Sequence, residues 1–176
     1  MNEIIKDQIW TIDNFLSNKE CTHFITKINE KTDLVAFTQS GNFKNDKFIN
    51  HELSTSFFNR VKKNINIPIL RANNLIMTGK YVPGNEFGLH TDTGLYFDLL
   101  VMEKSNYTLL IYLNDDFEGG DTVFYNNNFK ETFRIKPELG KALLFDISLW
   151  HQGLKILKGN KYWIGCEIIS KFHDIH

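Results

Sequence analysis

Apolar residues recur along this chain with two different periods, and the change comes near residue 69. In the N-terminal part, Cys21, Phe24, Ile25 and Ile28 fall at i, i+3, i+4 and i+7, one apolar face of a helix over about 18–31. Ser17-Asn18-Lys19-Glu20 at its start is a capping box, in which the Ser17 and Glu20 side chains satisfy each other's unpaired backbone donors. Leu53, Phe57 and Val61 repeat every four residues and predict a second helix near 51–64. A short strand candidate, QIWTI, precedes the first helix. Both helices are of the kind that brace a sheet.

From about residue 69 onward the pattern is that of strands. LIMTGKYV, YTLLIYLND, DTVFY, FKETFRI, KALLFDI and KYWIGCEII are short, rich in β-branched and aromatic residues, and separated by turn signals. Turns are predicted at Asn126-Asn127-Asn128, around Pro137-Glu138-Leu139-Gly140 and at Lys158-Gly159-Asn160. FKETFRI alternates, with Phe129, Glu131, Phe133 and Ile135 on one side. About six to eight closely spaced strands behind two helices predict an α+β, mainly β fold, a double-sheet barrel or jelly roll with helices on one face. A chain of 176 residues is most simply one domain, here with a β core at about 75–170 and helical support at about 1–70.

Composition narrows the function classes. Hydrophobic content of 42% with 15 Phe fits a compact fold, and a net charge of −1 gives no global basic field for nucleic acid or anionic membrane. Cys21 and Cys166 are the two cysteines, and the lack of any C-x-x-C weighs against a thiolate zinc site or thioredoxin-type chemistry. Both are expected as small buried apolar side chains. MNEIIKDQIWTIDNF has no apolar signal-peptide region, and no apolar run approaches the roughly 18 residues of a membrane span. The expectation is a soluble cytoplasmic protein.

YVPGNEFGLHTDTG, residues 81–94, puts His90 and Asp92 two apart at a strand end, where both can point to one face. A third ligand must come from a distant strand. Among His23, His51, His151, His173 and His176, the best placed is His151, which follows KALLFDI; the others lie on predicted helices or in the tail. Two imidazoles and a carboxylate with open positions opposite suit Fe(II). A hydrolytic zinc site is the chemical rival, but its usual H-E-x-x-H is absent. Ordinary polar strand-end histidines remain the bland alternative. Lys161 lies ten residues after His151, across the Lys158-Gly159-Asn160 turn, so hairpin geometry can bring it into the same cavity. One buried cation near a metal invites a dicarboxylate, with a solvated strand-edge lysine as the plain alternative.

Taken in order, these motifs resemble the Fe(II)/2-oxoglutarate-dependent oxygenases, in their prolyl-4-hydroxylase-like branch. YVPGNEFGLHTD is similar to the family's Y-x-x-G-x-x-(F/Y)-x-x-H-x-D, and LLIYLNDDFEGGDTVF to Y-L-N-x-x-(F/Y)-x-G-G-E-T-x-F, with Asp121 in place of the usual Glu. KPELGKALLFD resembles P-x-x-G-x-A-(L/V)-x-F, and DNFLSNKECTHFI resembles the family's N-terminal helix; the likeness covers roughly residues 10–168. It implies a single dioxygenase domain built on a double-stranded β-helix, with His90, Asp92 and His151 as Fe(II) ligands. It implies that Lys161 binds the distal carboxylate of 2-oxoglutarate, assisted by Tyr81 and Thr108, and that O2 is consumed, with ascorbate as a candidate reductant. The activity implied is hydroxylation of an unactivated C–H bond of a peptide or protein residue, with 2-oxoglutarate decarboxylated to succinate and CO2. Gly119 and Gly120 are expected in a tight turn, and Asp92 disfavours the halogenating relatives, which lack that carboxylate.

The chain also departs from its relatives. Substrate choice is expected in segments 31–56 and 93–106, where peptidyl-prolyl members often carry an arginine; the three arginines here are Arg60, Arg71 and Arg134, outside both. A free amino acid, another protein side chain or a small metabolite therefore stands beside peptidyl proline, and a non-catalytic jelly-roll binding module is the alternative of another class. A lysine anchor and a net charge of −1 weigh against a nucleic-acid demethylase. TGLYFDLLVME is either a lid or a buried strand with a hairpin; Trp163 is expected in the core, and Trp150 in either core or pocket.

Overall fold

The computed structural model of the chain describes residues 1–31, 35–36 and 44–171. Two helices form where the periodicity places them, Asn18–Glu30 and His51–Asn64. In the first, Glu20 N–H donates to Ser17 Oγ at 3.3 Å and Ser17 N–H to Glu20 Oε2 at 2.8 Å, closing the capping box. The second is capped by Asn50, whose carboxamide oxygen accepts from Leu53 N–H at 2.9 Å. Cys21, Ile28, Phe57 and Val61 face inward from the helices and pack with Ile76, Leu109, Ile164 and Ile168 of the sheet behind them. Removing such apolar side chains from water is the main force that holds helices to a sheet.

Among the described residues that sheet has ten strands, all paired antiparallel. Its path runs Asn2–Ile5, Ile9–Ile12, Ala142–Asp146, Glu103–Tyr112, Lys161–Lys171, Leu75–Tyr81, Lys44–Ile49, Val35–Ala36, with Ile69–Ala72 and Phe97–Asp98 paired at its flanks. A smaller sheet faces it, in the order Glu131–Ile135, Thr122–Tyr125, Trp150–Gly153, Phe87–His90. A third pairing, Glu118–Gly119 with Ile156–Lys158, closes one end. The long strands alternate in the way a two-layer fold requires. Ile164, Cys166 and Ile168 point to the helices, while Lys161, Trp163 and Glu167 point between the sheets into a cavity. The architecture is the mainly β jelly roll with bracing helices that the pattern predicts.

Four local expectations change. FKETFRI forms the outer strand of the small sheet, where only Ile135 of Glu131–Ile135 is buried; an edge strand with no layer over it leaves both faces in water. TGLYFDLLVME is not a buried strand: Phe97, Leu99 and Leu100 are 63%, 66% and 96% exposed, on a hairpin that pairs Phe97 with Lys104. Within the expected 31–56 mouth segment, the polar stretch 44–49 is a strand, held by register pairs from Lys44↔Lys80 to Ile49↔Leu75, and 51–56 open the second helix, while 32–34 and 37–43 lie outside the described residues. Trp163 lines the cavity rather than filling the core. Both cysteines are fully buried and unpaired, and burial pushes the Cys21 thiol up to about 11. Among the described residues no helix is long and apolar enough to cross a membrane.

Candidate active site

The two small-sheet strands Phe87–His90 and Trp150–Gly153 pair antiparallel so that His90 stands directly opposite His151. Their rings lie 4.2 Å apart, centroid to centroid. His90 is stacked on Phe87 at 3.8 Å, and His151 is held between Phe145 at 4.7 Å and Phe124 at 5.9 Å. Asp92 follows on the turn leaving the first strand, fixed by its N–H donating to the Ile147 carbonyl at 2.9 Å. One ligand atom from each of His90, Asp92 and His151 falls within 4.8 Å of the others.

The details of this cluster fit a divalent cation. The Nδ1 atoms of His90 and His151 lie 2.7 Å from the Gly88 carbonyl and 3.0 Å from the Leu149 carbonyl. A carbonyl can only accept, so the ring protons sit on Nδ1 and each Nε2 keeps its lone pair. Both lone pairs face Asp92 Oδ1, at 3.4 Å and 3.8 Å. His90 Nε2 is buried with no hydrogen-bond partner, an uncompensated acceptor that a bound metal would satisfy. Burial pushes the Asp92 carboxyl up, but the two imidazoles, which act this way only while they carry a proton on Nε2, and the Thr108 hydroxyl outweigh it and hold the group below the usual carboxylate range. Burial pulls His151 down, favouring the neutral imidazole that a metal needs.

A cavity of about 470 Å³ runs from this cluster between the sheets to Lys161, and Tyr81 and Thr108 also line it. Lys161 is 3% exposed. Its ammonium donates to the Gly120 carbonyl at 2.5 Å and lies 5.1 Å from the Tyr112 ring and 6.0 Å from the Tyr81 ring. Burial pulls its pKa from 10.5 down to about 7, against the Asp121 carboxylate, which raises it. Such a cation is poised for an anion. Gly120 has φ +72°, and a Cβ there would lie 2.4 Å from Ile156 Cδ1, so the loop must use glycine to present its carbonyl to Lys161.

Tyr81 is the cross-strand register partner of Lys161. Burial raises its phenol far above neutrality, against a hydrogen bond with Trp163, so it stays protonated and able to donate. Trp163 reaches the cavity by lying across Gly79, where a Cβ would be 2.1 Å from its Nε1. Thr108 has a partner different from the cosubstrate: its hydroxyl donates to Asp92 Oδ2 at 2.5 Å. Trp150 packs on Phe129 at 5.3 Å and is not among the cavity-lining residues. His23 and His51 are on the bracing helices, and His173 and His176 lie outside the described residues.

Glu167 and Asn45 are among the cavity residues not singled out from the sequence. Glu167 is an acid inside the otherwise apolar run KYWIGCEII, six residues after Lys161 and so on the same inward face; that parity is the signal that identifies it. Asn45 has a buried carboxamide oxygen without a partner and lines the same space, but its segment carries no strand pattern to show which way it points.

Comparison with known proteins agrees with this geometry. The family model described as 2OG-Fe(II) oxygenase superfamily matches residues 76–166, more than half of the chain. A protein described as probable prolyl 4-hydroxylase 8 from Arabidopsis thaliana is 28% identical over 190 residues, covering 85% of this chain and 64% of its own length. The chain thus spans less than two thirds of that plant relative. Among solved structures, a viral collagen prolyl hydroxylase from Paramecium Bursaria Chlorella virus-1 superposes with TM-score 0.67 at 23% identity, covering 94% of this chain and 97% of that one. A prolyl-4-hydroxylase from Pseudomonas putida gives TM-score 0.70 at 11% identity, covering 96% and 95%. At these identities the structures establish the fold. Family match, jelly-roll core and the His90–Asp92–His151 cluster converge: the chain belongs to the 2OG-Fe(II) oxygenase superfamily.

Proposed function

We propose that this chain is an Fe(II)- and 2-oxoglutarate-dependent dioxygenase that hydroxylates an unactivated C–H bond, on a prolyl residue of a peptide or protein. The observation that carries the reading is one cavity with a two-imidazole, one-carboxylate cluster at one place and a buried, anion-ready lysine at another. Its relatives named as prolyl hydroxylases support the choice of substrate. When bound by His90, Asp92 and His151, Fe(II) supplies the redox centre for the balance R–H + O2 + 2-oxoglutarate → R–OH + succinate + CO2.

The chain's own side chains have separate tasks in this scheme. The Gly88 and Leu149 carbonyls fix the tautomer and tilt of the two imidazoles. Thr108 holds the Asp92 carboxylate by its far oxygen, leaving Oδ1 toward the histidines. Lys161 pairs with the distal carboxylate of 2-oxoglutarate, and the protonated Tyr81 hydroxyl donates at the same end. Trp163, lying across Gly79, walls this part of the cavity against water.

A second reading, a free amino acid or small metabolite as substrate, is favoured by the absence of arginine from 31–56 and 93–106. A succinate-release screen over proline peptides, free amino acids and a small-metabolite extract separates the two. Turnover with a proline peptide supports the first, turnover only with small molecules replaces it with the second, and no succinate with any of them overturns both.

A further inference from the structure

Glu167 is a buried acid used by neither the metal nor the cosubstrate assignment. It is 4% exposed, lines the cavity and stands directly opposite Thr108 in the strand register. Its hydrogen bonds come from neutral groups: Leu95 N–H at 2.9 Å to both oxygens, the Ser105 hydroxyl at 2.5 Å and the Asn73 amide at 3.3 Å. A carboxylate taken out of water is tolerated only where donors replace its hydration, so these contacts are firm.

Two of these three donors, Leu95 and Ser105, bear on one short segment. Leu95 is three residues after Asp92, and Ser105 closes the hairpin that follows: Tyr96 N–H reaches Ser105 Oγ at 3.3 Å, and Ser105 N–H returns to the Tyr96 carbonyl at 2.9 Å. Just before Leu95, Gly94 has φ +45°, and a Cβ there would lie 3.3 Å from the Ser105 Cβ, so the chain passes close to the strand. Thr108 and Glu167, neighbours across two strands, therefore grip the same segment three residues apart. Thr108 takes it at Asp92 and Glu167 at Leu95. Thr93 and Leu95 line the cavity, and beyond them the hairpin carries the exposed Phe97, Leu99 and Leu100.

We propose that Glu167 is a positioning residue that latches the mouth segment Thr93–Tyr96 against the cavity and so shapes the way in to the metal cluster. The inference deepens the function proposed above and rests on it. A carboxylate suits the task because it accepts from an amide, a hydroxyl and a carboxamide together. Glutamine keeps one acceptor oxygen and turns an N–H2 toward the remaining donors; alanine leaves all of them without a partner.

The test is amide hydrogen exchange on the full chain, comparing wild type with Glu167→Gln, Glu167→Ala and Ser105→Ala. Exchange in the 93–102 segment is expected to rise roughly 10- to 100-fold in Glu167→Ala, the range for losing hydrogen bonds to a charged group. A smaller rise is expected in Glu167→Gln and Ser105→Ala. Protection of the strand Glu103–Tyr112 beyond Ser105 stays at the wild-type level, and 2-oxoglutarate affinity stays within about 2-fold. Unchanged exchange in 93–102, or a rise spread evenly over the large sheet, overturns the latch. If Glu167→Ala does not fold, the graded comparison of Glu167→Gln and Ser105→Ala decides by the same criteria. Exchange is read without turnover, so a wild type that fails to bind 2-oxoglutarate sinks the dioxygenase reading and is distinguishable from failure of the latch.

Discussion

Replacing Lys161 with Met is expected to make the protein more stable and unable to hold its cosubstrate. In the folded chain burial pulls Lys161 from 10.5 to about 7. At about 1.4 kcal/mol per tenfold change, that fall corresponds to roughly 5 kcal/mol of destabilisation by the charged ammonium. The unfolded chain binds more protons than the folded one between pH 7 and 10.5, so wild-type stability rises with pH through that window. The penalty is full below pH 7. Methionine fills a similar volume without the charge but leaves the Gly120 carbonyl without its 2.5 Å partner, a loss of about 1–3 kcal/mol. The net gain at pH 7 is ~2–4 kcal/mol, or roughly 5–15 °C in Tm for a chain of this size. Removing one partner of a buried ion pair costs about 3–5 kcal/mol, so 2-oxoglutarate affinity falls roughly 150- to 5,000-fold. Calorimetric melts at pH 7 and pH 9.5 read the first effect, and anaerobic 2-oxoglutarate titration of the Fe(II) protein reads the second. A Tm below wild type at pH 7 refutes the burial reasoning; a Kd within 3-fold of wild type refutes the assignment of Lys161.

Three further outcomes follow from the site. Because Lys161 sits near pH 7 when free and is raised by pairing with a carboxylate, 2-oxoglutarate binding takes up a proton; affinity weakens above pH 7 by up to about tenfold per pH unit. Calorimetry in buffers of different ionisation enthalpy measures the uptake, and affinity constant from pH 6.5 to 9 contradicts it. Thr108→Val removes the donor to Asp92 and is expected to weaken Fe(II) binding roughly 10- to 100-fold, leaving 2-oxoglutarate affinity nearly unchanged; the opposite pattern in parallel titrations would return Thr108 to the cosubstrate. Gly120→Ala forces a Cβ to 2.4 Å from Ile156 Cδ1 at φ +72°, so Tm and 2-oxoglutarate affinity are both expected to fall. Wild-type values of both would show that the loop does not need glycine there.

The parts of the site that a sequence displays are those whose spacing is fixed by one strand or one turn. His90 and Asp92 share a strand end, so parity aims them together; Lys161 begins the strand after the Lys158-Gly159-Asn160 turn, but that strand joins the facing sheet and does not pair as a hairpin with Trp150–Gly153, so Lys161 shares the cavity from the opposite layer. The helices declared themselves through the Ser17 capping box and the repeats of Cys21 and Phe57. What stayed hidden depends on which strands become neighbours. Glu167 meets the Leu95 amide 72 positions away, and Thr108 meets Asp92 only because 103–112 runs through the middle of the large sheet. Trp163 has the composition of a core residue; the missing side chain at Gly79, a register partner, opens the place it occupies in the cavity wall. The run Leu95–Met102 has the hydrophobicity of a buried strand, yet it forms a hairpin at the mouth that leaves Phe97, Leu99 and Leu100 largely exposed among the described residues.

The central claim, that one cavity holds Fe(II) on His90, Asp92 and His151 with 2-oxoglutarate anchored at Lys161, is tested most directly by anaerobic titration of the purified chain with Fe(II) and 2-oxoglutarate. The expected result is a weak visible metal-to-ligand charge-transfer band that saturates at one equivalent of each and is absent from His151→Ala, whose circular dichroism matches wild type. A folded wild-type chain that gives no band at saturating Fe(II) and 2-oxoglutarate contradicts it.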